Sequence, residues 1–73
     1  STATAALARA LAEYLAGAEP VQQLVVLRTG PGQAPLLALA LDQARLSGIA
    51  GTIAGDDTVF VIARDARQAR TVV

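Results

Sequence analysis

The chain has 73 residues, 53% of them hydrophobic and only 16% charged, and its six arginines, with no lysine, balance six acids to a formal net charge of zero. That balance lacks the basic field that supplies most nucleic-acid affinity. The longest apolar run, Leu36 to Leu41, is far short of the roughly 20 residues a membrane span needs. With no Cys and no His, disulfides, thiolate metal sites and imidazole ligands are excluded as well.

A single core below roughly 70 to 80 residues supplies only a few kcal/mol of net stability. Neither covalent nor metal staples are available, and the charged share falls below the usual figure of about 25%. Oligomerisation is the support that remains, in a chain that reads as soluble and as one domain over residues 1–73. It begins with Ser1 and not Met, and no secretory leader pattern is present, so a fragment of a longer polypeptide is expected.

From Thr2 to about Glu13 the alanine-rich segment has high helix propensity, with Leu7 and Leu11 on one face. Tyr14 to Ala18 reads as either a frayed helix end or a short strand, because Gly17 and the Glu19-Pro20 pair disfavour continued helix. Leu24 to Leu27 is a continuous apolar run that suits a strand covered on both faces. Thr29-Gly30-Pro31-Gly32 breaks it. Gln33 to Arg45 is a helix whose leucines cover an arc of roughly 200°, about twice the ordinary apolar stripe. Leu37 and Leu41 fall together, whereas Leu36 and Leu39 form a second face that one sheet cannot cover; packing on another subunit is expected there. Ile49 to Ala54, the turn Gly55-Asp56-Asp57 and the run Thr58 to Ile62 form a β-hairpin. Asp65 is an N-cap opening a last helix toward Val73. The order is helix, then ββαββα: an α+β two-layer sandwich with a four-stranded antiparallel sheet.

Polar groups able to act on a ligand are few. Catalysis is poorly supplied without His, Cys or Lys, so no enzyme activity is expected. Asp56 and Asp57 at a hairpin tip make a concentrated negative site, although aspartates in a turn also serve simply to hydrogen-bond their own backbone. Their natural complement is a cation. A guanidinium pairs bidentately with carboxylate through a rigid planar fork. For free arginine, Asp42 or the second turn aspartate would take the ammonium, and amides at the start of the Gln33 helix would meet the carboxylate.

The string Gly51-Thr52-Ile53-Ala54-Gly55-Asp56-Asp57-Thr58-Val59-Phe60-Val61-Ile62 closely resembles the signature of the C-terminal domain of bacterial arginine repressors. Val26-Leu27-Arg28-Thr29, Pro31-Gly32 and Leu41-Asp42 fall where that family has similar elements, so the resemblance runs from about Tyr14 to Arg64. It implies a trimer-forming ββαββα sandwich, with two trimers stacked into a hexamer and L-arginine, the co-repressor, bound between them. It assigns the principal ligand contacts to Asp56 and Asp57, a further acidic contact to Asp42, and lining positions to Ala34, Thr52 and Ala54. Pro35 departs from the pattern, standing where some relatives carry a polar ligand-contacting side chain; Gln33 is the nearest substitute. The family's winged helix-turn-helix domain is absent from this sequence, so operator DNA would be reached only through that missing part.

The resemblance further implies a cytoplasmic, arginine-dependent regulator of arginine biosynthesis and catabolism, with no cofactor and no metal. Two other readings stand beside it. One is a constitutive oligomerisation module whose aspartates only shape a turn. The other is a small Mg²⁺-dependent enzyme built on Asp42, Asp56 and Asp57.

Overall fold

A computed structural model describes residues 1–72. Helix α1 (Thr2–Tyr14) is followed by strands β1 (Leu15–Val21) and β2 (Leu24–Thr29), helix α2 (Ala34–Ala44), strands β3 (Ile49–Ala54) and β4 (Thr58–Ala63), and helix α3 (Ala66–Val72). This is helix followed by ββαββα, the α+β order the sequence predicts. Val73, which the sequence reading includes in the last helix, lies outside the described residues.

Local chemistry explains most of the boundaries. The Ser1 hydroxyl accepts the Thr4 N–H at 3.2 Å and caps α1. At the other end α1 passes into β1 without a loop, as Leu15 adopts extended backbone. The segment that sequence leaves open between helix end and strand is therefore a strand, ahead of a Gly17 and Pro20 that helix would not tolerate. Helix α2 ends at Arg45, which takes the left-handed conformation (φ 51°) and returns its N–H to the Asp42 carbonyl at 3.3 Å. The Asp65 carboxylate accepts the Gln68 N–H at 2.8 Å and starts α3.

The sheet order is β1-β2-β4-β3 and every pairing is antiparallel. Central strands β2 and β4 pair Val25 with Val61 and Leu27 with Val59 on the helix-covered face, and Leu24 with Ile62, Val26 with Phe60 and Arg28 with Thr58 on the other. Residue Ala50 is extra in the β3–β4 ladder and Ala16 in the β1–β2 ladder, two bulges on the edge strands.

Val25, Ala34, Leu37, Val59, Val61 and Ala69 are fully buried, with Leu27 at 2% exposure beside them. Burying each of the Val and Leu side chains contributes about 1.5–3 kcal/mol. α1 adds Leu7 and Ala10 to this core. Within the single chain β2 is covered on one face: its inner residues are buried, and nothing among the described residues covers the outer face. There Ile53 is 67% and Phe60 46% exposed, in line with Val26, Leu24, Ile62 and Val21. On α2, Leu37 and Leu41 enter the core whereas Leu36 and Leu39 are about half exposed, as the leucine arc predicts.

Candidate functional site

The hairpin tip is held from below. The Asp56 carbonyl accepts the Ala34 N–H at 3.1 Å and the Asp57 carbonyl accepts the Thr29 N–H at 2.8 Å, while Gly55 N–H closes the turn onto the Thr58 carbonyl at 2.8 Å. Two backbone bonds thus fix the turn to the end of β2 and the start of α2. Both aspartates are exposed. The turn backbone is thus clamped while its two carboxylates face solvent, so little backbone order would remain to be imposed by a ligand bound there.

The remaining predicted positions line the seam between α2 and β3. Thr52 and Ala54 pair with Val61 and Val59, so their side chains lie on the helix-covered face. From there the Thr52 hydroxyl donates to Asp42 Oδ1 at 2.9 Å. Ala34 is fully buried at the head of the helix and meets the hairpin tip through its N–H. Beside Asp42, a hollow of about 210 Å³ opens between the last turn of α2 and β3, with Arg45 and Gly51 on its wall.

These positions share an edge but do not converge. Ala34 and Asp42 are eight positions apart on the helix, a rise of about 12 Å. Asp42 and the tip aspartates therefore mark the two ends of the seam. Among the described residues no group of three acidic side chains is placed to hold a metal ion, so the Mg²⁺-dependent reading lacks its coordination geometry within one chain.

Two expectations are corrected. The amides at the start of α2 are not free to receive a ligand carboxylate: Gln33 N–H bonds the Gly30 carbonyl at 3.2 Å, Ala34 N–H bonds Asp56, Pro35 has none, and Leu36 N–H bonds the Gln33 carbonyl at 3.1 Å. Nor does the Gln33 side chain reach outward to stand in for a polar side chain at position 35. Its Oε1 accepts the Gly30 N–H at 3.1 Å and braces the turn.

The structure also brings in two residues that sequence reasoning passes over. The Thr58 hydroxyl donates to Asp57 Oδ1 at 3.0 Å, and Arg28 Nη1 donates to that same hydroxyl at 3.0 Å. Both lie on the open sheet face, so Asp57 is drawn to that side, next to a hollow of about 240 Å³ walled by Ile53, Phe60 and Gly55. Asp42 is held by a threonine on the opposite face. No helix among the described residues is long and apolar enough to cross a membrane. In comparison with known families, the one described as "Arginine repressor, C-terminal domain" matches residues 11–73.

Proposed function

We propose, for a chain that belongs to the arginine repressor C-terminal domain family, that it senses L-arginine by assembling. The family is regulatory and not enzymatic, and it serves arginine binding and repressor oligomerisation. In our reading the chain forms trimers, and L-arginine binds where two trimers stack, with Asp56 and Asp57 as its principal ligands. Asp42, Ala34, Thr52 and Ala54 line the same edge.

The observation that carries this reading is the hairpin tip: two exposed carboxylates on a backbone fixed by hydrogen bonds from Thr29 and Ala34. Asp42 stands at the far end of the seam, separated from the tip along α2, as suits a carboxylate that takes the ammonium end of the ligand. In this reading a facing copy completes the site, so that the carboxylates that grip one ligand come from different chains. The engaged amides of α2 point the same way, because the α-carboxylate of arginine also needs its partner elsewhere. Arginine that touches two trimers binds the hexamer better than the separated trimers, and mass action draws assembly toward the hexamer.

Contact with operator DNA belongs, in this reading, to a separate domain, consistent with zero net charge here. A hexamer presents several such domains at once, and multivalency multiplies weak individual contacts. Control of arginine biosynthesis in the cytoplasm follows from the same reading.

Titration calorimetry with Asp56→Asn and Asp57→Asn tests it. Each substitution is expected to cost about 2–5 kcal/mol of arginine affinity, roughly 30-fold to several thousand-fold, by removing charge from a site that assembly buries. Near-native titration by both variants would contradict the assignment and favour an oligomerisation module without sensing.

A further inference from the structure

We infer that Thr58 is a specificity-determining residue: anchored by Arg28, it fixes the plane of the Asp57 carboxylate so that the site prefers a guanidinium to an ammonium. The inference rests on the reading of Asp57 as an arginine ligand and adds a residue to it.

The direction of the hydrogen bonds is set by chemistry. A guanidinium only donates and an ionised carboxylate only accepts. The single Thr58 proton therefore goes to Asp57 Oδ1, at 3.0 Å, and a lone pair of the same oxygen receives Arg28 Nη1, also at 3.0 Å. The anchor is well placed, because Arg28 and Thr58 are direct partners in the β2–β4 ladder and their side chains share the open face. The sheet itself thus holds the hydroxyl in position, and the hydroxyl holds the carboxylate.

The consequence concerns geometry more than strength. Each carboxylate oxygen has two acceptor sites, so the bond from Thr58 uses one and leaves both oxygens able to accept from a ligand. A guanidinium needs those two oxygens in its own plane to form a bidentate pair, whereas an ammonium is a compact point charge that any carboxylate rotamer satisfies. Fixing the carboxylate plane therefore favours arginine and is indifferent to lysine. Asp56 differs, since its backbone carbonyl caps α2 but no bond from a neighbouring hydroxyl fixes its side chain in the way Thr58 fixes Asp57.

The test is the ratio of the lysine to the arginine Kd, measured by calorimetry on the full chain. Both ligands carry the same side-chain charge, so any change in the local field on replacing Arg28 cancels in that ratio. Thr58→Val keeps the shape and the β-preference but removes the hydroxyl; it is expected to weaken arginine about five- to tenfold and to leave lysine within about twofold. Thr58→Ser restores the wild-type ratio. Arg28→Met lowers the ratio in the wild-type background and has no further effect on it in the Thr58→Val background, as expected when two residues act as one unit. A Thr58→Val chain that binds arginine normally and keeps its selectivity would overturn this inference alone, as would Thr58→Ser behaving like Thr58→Val. A wild-type chain that binds neither amino acid would overturn the arginine-site reading, and this inference with it.

Discussion

The two faces of the sheet are built from the same kinds of residue and end in opposite environments. On one, Val25, Leu27, Val59, Val61 and Ala63 are 0–2% exposed beneath three helices. On the other, Val26, Leu24, Ile62, Phe60 and Ile53 form an apolar surface with nothing over it in the single chain, and Ile53 keeps 67% of its area in solvent. A chain with 16% charged residues has too little polar surface to offset such a face. The inner face supplies the stability of the fold, and the outer face is apolar surface suited to assembly. The acidic hairpin tip sits at the end of both, which is where a ligand linked to assembly should bind.

The sharpest way to break this comparison is to damage one face at a time. Leu37→Ala empties a site at 0% exposure and is expected to cost about 2–5 kcal/mol of folding stability, read by denaturant unfolding. If it proves mild, the inner face is not the core described here. Phe60→Ala should barely change the stability of the dissociated chain, yet weaken self-association by about 2 kcal/mol per interface, the scale of an aromatic anchor; sedimentation against concentration separates the two effects. Equal damage from both substitutions would erase the distinction between the faces.

Smaller changes serve as controls touching neither face. Arg45 holds a left-handed conformation at φ 51°, where a side chain costs roughly 1 kcal/mol relative to glycine. Arg45→Gly is expected to raise the midpoint of thermal unfolding and leave oligomer mass unchanged. The smallest effect concerns pH. The Gln68 backbone N–H is the main cause that holds the Asp65 carboxyl below its ordinary value of 3.8; desolvation opposes it, and the Gln68 side chain and Arg67 add smaller contributions in the lowering direction. Because the folded value is the lower one, the contribution of Asp65 is complete above about pH 3.8 and is lost as pH falls through the folded value. Asp65→Asn should flatten the acid limb of the stability profile slightly.

Much of this is legible in the sequence, and the exceptions have physical causes. Helices α1 and α2 declare themselves by periodicity, and the split of α2 into Leu37/Leu41 and Leu36/Leu39 is a consequence of 100° per residue that burial follows. β1 is ambiguous in sequence because Gly17 and Pro20 stop a helix without specifying a strand. The run Leu24 to Leu27 suggests cover on both faces, since apolar side chains look alike whether a helix or another subunit meets them. At the site, the paired aspartates stand out in the Gly51–Ile62 string. The division of Asp42 and Asp57 between opposite faces does not, because it depends on β-ladder register. The Arg28–Thr58 hydrogen bond joins positions 30 residues apart that only the β2–β4 pairing makes neighbours. The engagement of the α2 amides is equally hidden: a hairpin carbonyl caps that helix from a distance in sequence.

The central claim is that arginine binding and subunit assembly are one linked equilibrium. Sedimentation equilibrium of the chain at micromolar concentration, with and without millimolar L-arginine and with L-lysine as control, addresses it directly. The account predicts a shift from three-subunit toward six-subunit mass with L-arginine and none with L-lysine. A single-chain mass under every condition, or a mass indifferent to arginine, would contradict it.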